Sequence, residues 1–345
     1  MPWTVIGHEW AVAMLQRDVA QDRARHAYLF TGPAGIGKRT LVSDFARALL
    51  CQAADPPCGQ CRHCQLASRG RHPDLLTVEP VMSGKSVRTA KIKIESVRQM
   101  INDLSLKPVE ARRRVARLLR FETANSESMN AFLKTLEEPP GRTVILVTAE
   151  RADDLLPTIV SRCAVVPLRP LPMETVRTAL ITNWLAPAER ADLLAHLAQG
   201  RLGWAVRMLA DEAALAARQL ALDDLSALLG ASRVARFAYA ERLAKEASTD
   251  RIQETLDLWQ SLWRDVLLAG AASASAGAGM ASPLANPDRE AEVRRLAEAV
   301  PPAAAREVML GLRRTAGLLE QNANARLALE VCLLDWPRLA GDGRG

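Results

Sequence analysis

Aromatic residues are scarce in this chain, at 4% of 345 residues, with seven Trp, five Phe and two Tyr. Long hydrophobic runs are missing too. The longest uncharged stretch, Val266 to Pro287, is mostly Ala, Gly and Ser and contains Pro283 and Pro287. It is too polar and too broken to cross a bilayer. The first 20 residues carry His8, Glu9, Arg17 and Asp18 among apolar residues, which excludes a secretory leader there. These absences point to a cytoplasmic protein without membrane spans.

What is present is an ordinary globular balance, 49% hydrophobic and 24% charged, rich in Ala, Leu and Arg. Such a mix supports a sizeable core, favours helices and excludes wholesale disorder. The length suits two or three domains. A net charge of +6 permits an acidic or nucleic-acid partner without requiring one. The densest basic run holds Arg112, Arg113, Arg114, Arg117 and Arg120 with no acid between them. It reads as a solvated edge beside a strand.

The first half of the chain alternates strand-like and helix-like segments. Strands are expected at His26–Thr31, Leu75–Val78, Val115–Leu119, Thr143–Thr148 and Ala164–Pro167. Helices are expected at Lys38–Leu50, Glu95–Ser105 and Ser126–Glu137, the last stopped by Pro139 and Pro140. That alternation predicts a parallel sheet covered on both faces. From Arg169 the pattern is helical only, with Pro170 and Pro172 at the change and Gly200 and Gly203 expected in a turn. Residues 269–282, nearly all Ala, Gly and Ser, read as a flexible connection.

Gly32-Pro33-Ala34-Gly35-Ile36-Gly37-Lys38-Arg39-Thr40 follows a predicted strand and opens a predicted helix, the context of a phosphate-binding loop. Its glycines let backbone N–H groups turn inward, and Lys38 can reach outer phosphates. The hydroxyl that ligates Mg²⁺ is expected directly after the lysine, but Arg39 stands there and Thr40 lies one residue late. At the end of the Val115–Leu119 strand, where acids would hold the metal, stand Leu119 and Arg120. Glu122 is the one nearby acid and reads as a helix-start residue. Both departures predict no Mg²⁺-dependent hydrolysis, while ATP or ADP binding at Gly32, Gly35, Gly37, Lys38, Arg39 and Thr40 stays open.

Cys51, Cys58, Cys61 and Cys64 crowd into 14 residues, with Gly59 allowing a tight knuckle. Four thiols at this spacing suit a closed tetrahedral Zn²⁺ site of structural type, with His63 an alternative ligand. Cys163 and Cys332 stand apart.

Taken together, these features resemble the bacterial clamp-loader branch of the AAA+ proteins. The resemblance rests on HAYLFTGPAGIGKRTL from His26, the four-cysteine insertion, HPDLLTVEP from His72, MNAFLKTLEEPPGRTVILVTAE from Met129, LLPTIVSRC from Leu155 and QNANARLALE from Gln321. It implies an α/β P-loop AAA+ domain over 1–168 with the cysteine insertion at 51–64. A small three-helix lid over 169–210 and an all-α oligomerising collar over 211–345 would follow. It also implies an accessory subunit of the DNA polymerase III holoenzyme, with gamma/tau and delta subunits as partners and contact to sliding clamp and primed DNA through the complex. On the same resemblance Arg162, in the SRC triplet, is a trans-acting arginine finger for ATP on a neighbouring gamma/tau subunit. The gamma/tau motor itself carries an intact phosphate loop, acids at the strand end and a sensor arginine where this chain has Gly203. That departure favours a non-motor member without intrinsic ATPase. The alternatives are an active ATPase of gamma/tau type, with Glu122 holding Mg²⁺, and a zinc-dependent DNA-binding protein using residues 112–120. The second lacks a base-reading motif.

Overall fold

The computed structural model describes residues 3–81, 90–274, 284–321 and 323–339. Its elements in chain order begin with α1 (Glu9–Ala20), β1 (Ala27–Thr31), α2 (Lys38–Leu50), α3 (Arg62–Ser68), β2 (Leu75–Val78), α4 (Ile94–Leu104) and β3 (Arg114–Leu118). Then come α5 (Ser126–Glu137), β4 (Thr143–Ala149), α6 (Pro157–Val160) and β5 (Ala164–Pro167). The five strands form one parallel sheet in the order β2-β3-β4-β1-β5. This is an α/β domain, a parallel sheet with helices on both faces, as the alternation predicts.

Alternation along β1 explains why the sheet must be covered twice. Tyr28 and Phe30 pack with Phe45, Leu41 and Leu15 from α2 and α1 on one face. Ala27 and Leu29 join Met100, Phe132, Leu136 and Ile159 from α4, α5 and α6 on the other. Successive side chains point to opposite faces, so a strand buried on both reads as a continuous apolar run. β1 and β4 lie inside the sheet and are buried throughout, whereas the edge strands β2 and β5 are partly exposed. The chain divides into two compact units, and this sheet belongs to the first, which among the described residues comprises 3–81, 90–185 and 198–206.

After β5 only helices occur among the described residues: α7 (Met173–Trp184), α8 (Ala188–Ala198), α9 (Leu202–Ala210), α10 (Glu212–Gly230), α11 (Arg233–Glu246), α12 (Thr249–Ala274), α13 (Glu290–Ala299), α14 (Pro302–Glu320) and α15 (Ala325–Leu334). Asp211, Ser232 and Asn324 cap α10, α11 and α15 by accepting from backbone N–H groups three residues on. The second unit has its own core, built on Trp259, Trp263 and Trp336 with leucines from α10, α12 and α15. Asp265 is fully buried in it and accepts from the backbone N–H groups of Ala285 and Asn286 and from the Asn286 amide.

Several expectations change. α1 and α3 were not expected from periodicity. Gly203 lies inside α9, and of the pair only Gly200, at φ 79°, is in a turn. Of the Ala/Gly/Ser segment, 269–274 continue α12 as helix and the rest lies outside the described residues. The arginine run is not a solvated edge. β3 is an interior strand, and Arg114 is buried on it, donating to the carbonyls of Asp103 and Lys107 beyond α4.

Arg236 concentrates the most polar satisfaction in the helical unit. Buried on α11, it donates to the carbonyls of Leu228, Leu229, Leu333, Trp336 and Pro337, at 2.9–3.3 Å. These acceptors include the last turns of α10 and α15, whose carbonyls have no intrahelical partner and carry negative dipole ends. Arg236→Met should therefore lower stability by about 3 kcal/mol or more, because the carbonyls of Leu333, Trp336 and Pro337 lose this donor at once. Urea unfolding of the two proteins measures it.

Candidate functional site

The glycine loop and the residues that follow β3 and β4 gather where the parallel strands end. Beyond β1, Gly32 donates its N–H to the Glu150 carbonyl past β4, and the loop turns through positive φ at Gly32, Gly35 and Gly37. A Cβ at Gly32 would sit 2.7 Å from the Leu168 carbonyl oxygen, so only glycine fits there. Lys38 starts α2 but does not project outward. It is buried, and its Nζ donates to the carbonyls of Gly32 and, at 3.1 Å, Pro33. Burial pushes its pKa down, opposed by Glu150 and Glu122.

Two further contacts close around the loop. His8, a residue the sequence reading did not single out, is buried and places Nε2 3.0 Å from the Ile36 carbonyl. A carbonyl only accepts, so the His8 proton sits on Nε2. Gly203, in the first turn of α9, donates its N–H to the Gly35 carbonyl at 2.8 Å. A Cβ at Gly203 would lie 2.9 Å from that oxygen, and one at Gly35 would lie 2.9 Å from the Trp204 nitrogen. Helix and loop meet backbone to backbone, which no larger residue at 203 permits without displacement.

The expected metal positions hold cations instead. Arg39 is 71% exposed and pairs with Glu79 at 2.8 Å, and Thr40 is exposed. Arg117, on β3, donates to Ser43 and Thr77, and the charge of Arg39 nearby adds to burial in lowering its pKa. Leu119 is buried, and Arg120 turns through φ 55° while its N–H donates to the Thr148 hydroxyl. Glu122 sits in a single 3₁₀ turn, Phe121–Thr123, with one carboxylate oxygen lacking a hydrogen-bond partner among the described residues. Burial, aided by Glu150, raises its pKa against the pull of Arg120 and Lys38.

Arg162 follows the one-turn helix α6. Its Nη1 donates to the Thr158 carbonyl at 2.9 Å and the Ser161 hydroxyl at 3.3 Å, and its Nη2 to Glu137 Oε1 at 2.6 Å. The neighbouring Cys163 thiol is pushed up to about 12 by burial.

Cys51, Cys58, Cys61 and Cys64 converge, with sulfurs 3.9 Å apart for Cys51–Cys61 and 4.0 Å for Cys58–Cys64. A tetrahedral ion with Zn–S bonds of about 2.3 Å places its sulfurs roughly 3.8 Å apart, so the donor set fits such a metal. Backbone N–H groups of Cys58, Cys61 and Cys64 donate to the sulfurs of Cys51, Cys58 and Cys61, respectively. N–H groups from Cys61 and Gln60 draw the Cys58 thiol down to about 6, favouring the thiolate that a metal requires.

A second triad, His63, His72 and Glu110, lies beside it. The Asp74 N–H donates to His72 Nδ1, which fixes the His72 proton on Nε2, 2.9 Å from His63 Nδ1. The nitrogen facing the triad therefore carries a proton and donates to His63, so it has no lone pair for a metal. The pair instead ties α3 to the start of β2. The Asp74 carboxylate accepts from the N–H groups of Val109, Glu110 and Ala111, which hold its pKa down despite burial. Purified under reducing conditions without chelator, the chain is expected to carry about one tetrahedral metal ion such as zinc by elemental analysis. Changing Cys58 and Cys61 to Ser should remove it.

No helix of the described residues is long and apolar enough to cross a membrane. Residues 7–172 match the family described as DNA polymerase III, delta subunit. The chain is 39% identical over 195 residues to DNA polymerase III subunit delta' of Pseudomonas aeruginosa, covering 55% of this chain and 56% of that protein. It is 31% identical over 185 residues to subunit delta' of Bacillus subtilis, covering 53% and 54%. To subunit tau of Escherichia coli it is 31% identical over 233 residues, covering 66% and 35%. The chain thus spans about half the length of these delta' relatives and a third of the tau relative.

Proposed function

We propose that the chain is the non-motor delta-prime member of the DNA polymerase III clamp-loader complex, on the match of residues 7–172 and its likeness to delta' subunits. It assembles with gamma/tau and delta subunits in the cytoplasm and helps place the sliding clamp on primed DNA. Residues 1–168 serve as the P-loop domain, 169–210 as a lid and 211–345 as the oligomerising collar. One observation carries the reading: guanidinium groups stand at both positions from which a P-loop ATPase holds Mg²⁺. Arg39 replaces the hydroxyl and pairs with Glu79, and Arg120 follows the buried Leu119 at the strand end. A phosphoryl transfer that relies on a bridging metal draws its ligands from those two positions, and the cations there support a non-motor role. Glu122, which the motor alternative needs, sits in the single 3₁₀ turn Phe121–Thr123 just beyond that strand end.

Nucleotide held at Gly32, Gly35, Gly37, Lys38, Arg39 and Thr40 would require Lys38 to exchange the Gly32 and Pro33 carbonyls for phosphate oxygens. Zn²⁺ on the four cysteines acts structurally, since four sulfur ligands leave no open position for chemistry. The purified chain alone is expected to show no ATP turnover, and the complete complex with clamp and primed DNA full stimulated turnover. Robust turnover by the chain alone would make it a motor.

Arg162 supplies the chain's contribution to chemistry. It offers a guanidinium to ATP on the neighbouring gamma/tau subunit and stabilises charge on the transferring phosphoryl group. Its position beside an exposed corner of the domain, 34% accessible, supports that use. Arg162→Ala should lower stimulated ATPase of the reconstituted complex by about tenfold or more, roughly 1.4 kcal/mol. An unchanged rate would remove Arg162 from the mechanism.

A further inference from the structure

Glu137 is the last residue of α5, which cannot continue because Pro139 and Pro140 follow. Its carboxylate accepts from Arg162 Nη2 at 2.6 Å. The spacing between the two side chains is set deep in the sheet domain. Leu136, one residue before Glu137, and Ile159, in α6, are both buried in the same apolar cluster. Arg162 thus has one guanidinium nitrogen fixed by Thr158 and Ser161 on its own turn and the other fixed by Glu137 from a different helix. Among the described residues, the other hydrogen bonds of the Arg162 side chain reach no further than four residues along the chain, and a long arginine side chain carries about 2 kcal/mol of rotamer entropy.

We propose that Glu137 is a positioning residue for Arg162. It holds the guanidinium at the α5–α6 corner in the orientation from which it meets a phosphoryl anion presented by a neighbouring subunit. The inference rests on the arginine-finger reading of Arg162. The pair suits a hold that is also released. Both side chains are partly accessible, at 34% and 49%, and an ion pair in that setting is worth only about 0–1 kcal/mol. A phosphate group, with more charge and more acceptor oxygens, displaces the carboxylate from part of the guanidinium at little cost.

The test is steady-state ATPase of the complex reconstituted with gamma/tau and delta subunits, clamp and primed DNA. Glu137→Ala should lower kcat by about three- to tenfold and leave KM for ATP unchanged, because the nucleotide is held by the other subunit. Glu137→Gln keeps an oxygen that accepts from Nη2 and should restore most of the rate. Combining Glu137→Ala with Arg162→Ala should be no slower than Arg162→Ala alone, since Glu137 acts through that arginine. Complex assembly by size-exclusion chromatography should be the same for all variants. If Arg162→Ala slows turnover while Glu137→Ala does not, or if the two losses add, Glu137 has no positioning role and the finger reading stands. If Arg162→Ala leaves turnover unchanged, the finger reading falls and this inference falls with it. A Glu137→Ala complex that fails to assemble, with Glu137→Gln equally impaired, would make the contact structural and overturn the proposal.

Discussion

Burial of a parallel sheet on both faces is the constraint from which the rest of the first unit follows. With helices packed above and below β1 and β4, open backbone is left at the strand ends, and parallel strands put every carboxyl end on the same edge. The Gly32–Gly37 loop after β1, Leu119 to Glu122 after β3 and Glu150 after β4 therefore share one neighbourhood. Lys38 senses both Glu122 and Glu150 there. The geometry of the glycine loop is thus a consequence of how the core is built, whatever chemistry it carries.

What differs at that edge is the sign of charge. A metal site needs oxygens with negative or lone-pair character converging on one point. Here Arg39, Arg117 and Arg120 occupy the surrounding positions, and the one interior carboxylate, Glu122, is pushed toward its neutral form by burial. Lys38 satisfies its ammonium on the loop's own carbonyls. Gly203 adds a geometric term. It is not merely a position lacking an arginine, because its missing side chain is what lets α9 donate directly to Gly35.

The cysteine insertion follows a different logic. It has little core of its own, so its order comes from ligands and hydrogen bonds: four converging sulfurs, N–H groups aimed at three of them, the His63–His72 bond, and Arg62 paired with Glu110. Asp74 extends that order into the 109–111 backbone.

The sequence by itself determined whatever depends on near neighbours. β2, β5, α2 and α5 lie where periodicity and proline stops put them, the glycine loop opens α2, and the cysteine spacing alone predicts the cluster. It was silent or misleading wherever the partner is far along the chain. Arg114 looks like one of five surface arginines until β3 is found inside the sheet, where its guanidinium must reach carbonyls beyond α4. Gly203 looks like a turn residue until Gly35 is found against it. His8 against Ile36, the five carbonyls around Arg236, and Glu137 against Arg162 are likewise unreadable from spacing. The reason is physical: periodicity encodes which face a residue shows, whereas a polar partner is set by which faces meet, and only packing of the assembled core decides that.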